Sequence, residues 1–98
     1  MAISTKTDAS QQIIQVSGRF DFSVQAEFRK AYESVEPTMQ FIVDFREADY
    51  IDSSALGMLL LARDYAGGDN AKIEIINCGP EIKNILEISN FQKLFKIS

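Results

Sequence analysis

Apolar residues change their spacing along this chain, and the changes mark out its elements. In "QQIIQVSG", Ile13 to Val16 read as a strand that follows a polar turn at Asp8–Ser10. A weaker strand at Ala2–Lys6 is placed to pair with it as a hairpin. Gly18 opens an expected loop, "GRFDFS", in which Ser23 is a suitable N-cap for a helix. Val24, Phe28, Ala31, Tyr32 and Val35 then fall at i, i+4, i+7, i+8 and i+11, one stripe of an amphipathic helix that Pro37 ends. Gln25, Glu27, Arg29, Lys30 and Glu33 on its other face read as solvated surface.

"MQFIVDF" is the strongest strand, β-branched and aromatic, with Phe41, Val43 and Phe45 on one side. Its nearly continuous apolar character predicts a central strand covered on at least one face. "READYID" reads as a loop leading to a helix from Ser54 to about Ala66, which Gly67-Gly68 stops by allowing a left-handed residue after its end. "AKIEIIN" is an alternating strand with Ile73 and Ile75 on one side. "GPEIKNILEIS" predicts a short helix with Pro80 in its first turn and Ile82, Ile85 and Leu86 facing in. "FQKLFKIS" closes with an apolar turn in which Phe91, Leu94 and Phe95 are expected in the core. Strands alternating with helices predict an α/β domain, 1–98, with a mixed, mostly parallel sheet of about four to five strands and three to four helices. In such sheets, loops at the carboxyl ends of the strands carry function.

Composition narrows the chemistry. The net charge is −4, with no cluster of Lys or Arg, so binding to nucleic-acid phosphates is not expected. The longest apolar run, Ala55 to Ala62, is far short of the ~18 residues of a membrane span. The beginning "MAISTKTDASQQ" lacks the features of a signal peptide. The single cysteine, Cys78, permits no internal disulfide and reads as a small apolar filler. A cytoplasmic protein with protein partners is the expectation. The chain has no histidine, which removes a Ser-His-Asp triad, a His-ligated zinc site and a phosphohistidine relay. No lysine lies near the serines in sequence to complete a Ser-Lys dyad. Neither an enzyme nor a cofactor is expected.

The remaining signal is "YIDSSALGMLLLARDY". Asp52, Ser53 and Ser54 are all favoured N-caps, and capping alone accounts for one of them, at ~1 kcal/mol. Three polar residues are offered, and the helix behind them has Leu56, Met58, Leu59, Leu60 and Leu61 pointing in nearly every direction. A helix apolar all round is fully buried or presents a face to a partner, and Met58 and Leu61 are the candidates for an exposed patch.

"FIVDFREADYIDSSALGMLLLARD" resembles the signature of the STAS domain, and in particular of the single-domain anti-sigma factor antagonists. "VSGRFDFSVQAEF" is similar to that family's turn before its first helix, and "NCGPEIKNILEISNFQKLFKI" to its closing segment, so the likeness spans nearly the whole chain. The resemblance implies a STAS-like fold. It also implies that Ser53, the serine directly after the aspartate, is phosphorylated by a partner kinase that is often the anti-sigma factor itself; Ser54 is the second choice. A metal-dependent serine phosphatase would reverse the modification, and the unmodified form would bind the anti-sigma factor. The implied partner surface comprises Asp21, Asp52, Ser54, Ala55, Leu56, Gly57, Met58 and Leu61. Two departures stand out. Ala55 occupies a place where the family often has glycine, which firms the helix start by up to ~1 kcal/mol. The chain ends at Ser98, where many relatives continue. The alternative readings are a STAS regulatory subunit of a transporter or lipid-transport complex, and a partner switch with another output, such as biofilm or polysaccharide control.

Overall fold

The hairpin forms at the predicted turn, where Asp8 Oδ1 accepts from the backbone N–H groups of Ser10 and Gln11, both at 2.9 Å. The computed structural model describes residues 2–98. Strand β1 (Ile3–Thr7) pairs antiparallel with β2 (Gln11–Phe20). Then come α1 (Gln25–Glu33), β3 (Gln40–Ile51), α2 (Ser53–Tyr65), β4 (Ile73–Ile76), α3 (Pro80–Ile88) and β5 (Lys96–Ile97). The five strands form one sheet in chain order, and all pairs after the first are parallel. The α/β, mostly parallel architecture is as expected.

One face of the sheet builds the core. Ile14, Val16 and Phe20 of β2, Phe41, Val43 and Phe45 of β3, and Ile73 and Ile75 of β4 are buried in one cluster with Phe28, Ala31 and Tyr32 of α1 and Ile82 and Leu86 of α3. Phe20 lies edge-on to Phe28 at 4.9 Å between ring centroids, a geometry that suits the aromatic quadrupoles. Asp44, whose Oδ1 accepts from the Arg46 N–H at 2.9 Å and from Asn77 Nδ2 at 3.0 Å, is one buried polar exception, and Gln12 is the other. Its Nε2 donates to the Ala31 carbonyl at 2.8 Å and its Oε1 accepts from the Thr7 hydroxyl, tying β1, β2 and α1 together.

Several boundaries differ from the sequence reading. β2 does not stop at Val16: Gly18, Arg19 and Phe20, expected in a loop, stay in the strand, with Gly18 at φ 72 beside a register shift. Nor is "READYI" a loop. β3 runs on to Ile51 because the lengthened β2 supplies parallel partners, from Ser17↔Glu47 to Phe20↔Ile51. The two irregularities in that ladder take up the extra residues of β3. Leu94 is exposed rather than core, while Phe91 and Phe95 are buried as expected. The closing segment also contributes the short strand β5, which the sequence reading missed. α2 begins one residue earlier than expected, at Ser53, and ends before Gly67, whose φ of 120° is the left-handed region that stops a helix.

Candidate functional site

The pairing Phe20↔Ile51 brings the carboxyl ends of β2 and β3 side by side, and each strand is followed at once by an aspartate. Asp21 and Asp52 have nearly the same backbone angles, φ −141°, ψ −172° and φ −128°, ψ −176°. Each opens a turn of the pattern Asp-x-Ser. Asp52 Oδ1 accepts from the Ser54 hydroxyl at 2.6 Å and from the Ala55 N–H at 3.1 Å, which caps α2. Asp21 Oδ1 accepts from the Ser23 N–H at 3.0 Å and from the Ser23 hydroxyl, which caps the 3-10 turn Phe22–Val24. Ser23 therefore does not cap α1, whose N-cap position is Val24 with no side-chain cap; Asp21 caps the 3-10 turn that leads into it, and the Ser23 hydroxyl is a donor in that turn. The Ser23 hydroxyl and amide, with the Arg19 guanidinium 3.3 Å away, hold the Asp21 carboxyl below the usual carboxylate range.

This division of labour settles what each serine does within the fold. Ser54 and Asp52 make the cap. Ser53 is the middle residue of its turn and is exposed, and among the described residues its hydroxyl has no hydrogen-bond partner. It is the first residue of α2, where the backbone N–H groups lack intrahelical acceptors and the helix dipole is positive. A hydroxyl so placed can receive a phosphoryl group without breaking any internal contact.

The other predicted site residues separate into two groups. Ser54 and Leu56 are half-buried, Gly57 is exposed, and Leu61 is 52% exposed. Ala55 and Met58 are buried, so neither offers an exposed patch; Met58 is only 4% exposed. The all-round apolar pattern of α2 misled at this point. The helix buries Ala55, Met58, Leu59 and Ala62 and leaves Leu60 and Leu61 outside. Met58 does line an open groove of about 270 Å³ between α1 and α2, together with Gln25, Phe28, Arg29, Tyr32 and Leu61. Asp21 lies beside the serine turn, since Phe20 and Ile51 before the two aspartates are paired.

Phe22 was not anticipated. It occupies in the Asp21 turn the place that Ser53 occupies in the Asp52 turn, and it is 65% exposed. The repeated Asp-x-Ser spacing was the sequence signal for it, legible only once the two strand ends are known to be neighbours. Cys78 is half-buried, and burial pushes its thiol up to about 11, in keeping with a filler rather than a nucleophile. Among the described residues no helix is long and apolar enough to cross a membrane.

Comparison with known proteins agrees with this geometry. The profile of the family described as "Mlab, STAS domain" matches residues 3–96. A STAS-domain-containing protein of Pseudomonas aeruginosa (strain UCBPP-PA14) is 55% identical over 101 residues, covering all of both chains. Among solved structures, the anti-sigma factor antagonist SpoIIAA in its unphosphorylated form aligns at TM-score 0.76 and 16% identity, covering 99% of this chain and 88% of that one. The Bacillus SpoIIAA in its phosphorylated form aligns at 0.69, also at 16% identity, over 99% and 91%. A sulfate transporter family protein from Wolinella succinogenes aligns at 0.72 and 16% identity over 90% and 73%. The solved structures speak for the fold; the family profile and the Pseudomonas relative go further, and by them this chain belongs to the STAS domain family.

Proposed function

We propose that the protein is a phosphorylation-controlled anti-sigma factor antagonist, a binding protein rather than an enzyme. The unmodified form binds an anti-sigma factor that is also a serine kinase. Phosphorylation at Ser53 releases it, and a metal-dependent serine phosphatase restores it. The observation that carries this reading is the exposed, uncommitted Ser53 hydroxyl at the head of α2, with the capping work done by Asp52 and Ser54. The fold likeness to SpoIIAA, solved in both phosphorylation states, supports it.

The switch follows from local charge. A phosphoryl group adds about −1.5 to −2 charges at neutral pH to a neutral hydroxyl. In the free protein the helix N-terminus receives that charge favourably. Against a docked partner, one unit charge ~5 Å from a like charge is repelled by about 1 to 3 kcal/mol, before the doubled charge and the desolvation of the phosphate are added. Each ~1.4 kcal/mol is tenfold in affinity, so a drop of about 100-fold or more requires no large shape change.

The test is co-expression with the serine kinases of the host, followed by intact-mass measurement and partner binding. The mass of one phosphoryl group should be gained by the natural chain and not by Ser53→Ala. The partner should be retained by Ser53→Ala and lost by Ser53→Asp. Equal retention by both variants would remove the charge switch, and labelling that survives Ser53→Ala and disappears in Ser54→Ala would move the site by one residue. The likeness to a sulfate transporter family protein supports a second reading, a regulatory subunit of a transporter or lipid-transport complex. Its signature is a membrane-transport partner held regardless of the state of Ser53.

A further inference from the structure

Residues 17–23 and 47–54, which close β2 and β3, carry four carboxylates, Asp21, Glu47, Asp49 and Asp52, and a single cation, Arg19. Arg19 pairs with Tyr50 across the two strands. Its guanidinium carbon lies 4.0 Å from the centroid of the Tyr50 ring, and its Nε donates to Asp21 Oδ2 at 3.3 Å. The ring gives the flat guanidinium a platform. The bond to Asp21 is long for a charged pair and uses one donor of a side chain that is 64% exposed. Among the described residues neither Nη group makes a hydrogen bond. Arginine presents a fork of N–H donors that matches phosphate oxygens two at a time, and in the unmodified chain most of that fork is unused. Asp21 does not need Arg19 to keep its place, because its Oδ1 already accepts from the Ser23 amide and hydroxyl. Ser53 lies three residues beyond Tyr50, within about 10 Å of chain.

We propose that Arg19 is the internal ligand of the phosphoryl group on Ser53: it stays stacked on Tyr50 and turns its Nη groups from solvent onto two phosphoryl oxygens. This role of Arg19 rests on the phosphorylation of Ser53 proposed above and adds the group that holds the phosphate. Arg19 exchanges one anion for another, so the face still gains the whole charge of the phosphoryl group and the charge switch stands. The exchange frees Asp21 Oδ2. Modification of the serine turn is thereby passed to the neighbouring turn, the one that displays Phe22.

The experiment uses the full chain with phosphoserine installed at position 53 during translation, so it does not wait on the kinase. Phosphorus NMR follows the second ionisation of the phosphoryl group, ordinarily near pH ~6. Arg19→Gln and Arg19→Lys are compared with the natural background and with Arg46→Gln, an equal loss of charge about 20 Å back along β3. Removing a cation from beside the dianion disfavours it, so Arg19→Gln should raise this pKa by about 0.5 or more. Arg19→Lys keeps the charge without the fork and should fall between the two. Arg46→Gln should match the natural background, because salt screens a charge that far away. The unmodified variants should melt within about 4 °C of the natural chain, since the Arg19 side chain lies outside the core. An unchanged pKa in Arg19→Gln, or the same rise in Arg46→Gln, overturns the role of Arg19 and leaves the phosphorylation of Ser53 standing. Host kinases that all leave Ser53 unmodified overturn both.

Discussion

At the scale of single residues, the three polar positions before α2 have separable contributions, and stability measurements should resolve them. Asp52 accepts two hydrogen bonds at the helix start, so Asp52→Ala should cost about 1 kcal/mol and lower the Tm by about 4–8 °C. Ser54→Ala removes one donor to that carboxylate and should cost less. Ser53→Ala touches no internal bond and should stay within about 0.5 kcal/mol of the natural chain. Thermal melts followed by circular dichroism check this order, and a Ser53→Ala loss equal to that of Asp52→Ala would return Ser53 to a structural role. Much of this was legible in "DSSALG", because helix caps have a strong residue preference. Which serine caps and which is left over was not legible, because Asp, Ser and Ser compete for the same orphan N–H groups until the strand before them fixes the register.

At the scale of elements, periodicity identified the hairpin, the α1 stripe and the strands Gln40–Phe45 and Ile73–Ile76, where buried apolar side chains recur at every second residue: Phe41, Val43 and Phe45, then Ile73 and Ile75. It failed where the reason for a strand lies in another strand. Arg46, Glu47 and Asp49 look like loop residues, yet β3 continues through them because β2 runs alongside to Phe20. Met58 failed for a related reason: a buried helix face and an exposed one are equally apolar in sequence when both are rich in leucine and methionine. Gln12 shows the opposite case, a polar residue that belongs inside. Gln12→Ala should leave the Ala31 carbonyl without its buried donor and cost about 1–3 kcal/mol, read as a lower urea midpoint with an unchanged slope. A change below about 0.5 kcal/mol would show that the Ser34 hydroxyl, which already donates to the same carbonyl at 3.1 Å, satisfies it alone.

For the whole molecule, the chief expectation is that modification changes what binds and leaves the fold in place. Ser53 lies outside the core, and an exposed anion at a helix N-terminus gains about 0.3–1 kcal/mol. The phosphorylated chain should keep its far-ultraviolet spectrum and, in solution scattering, the same radius of gyration as the unmodified chain, whose Cα atoms alone give 12.0 Å. Expansion or loss of helix on phosphorylation would point instead to a switch by local unfolding. The paired turns at the ends of β2 and β3 carry a wider consequence. Both are held by an aspartate and a serine that flank a middle residue on which no internal bond depends, phenylalanine in one and serine in the other. The frame is thus indifferent to what it displays. A lineage of such proteins could exchange an aromatic contact for a modifiable oxygen, or the reverse, by one codon, and change its signalling allegiance without rebuilding the domain.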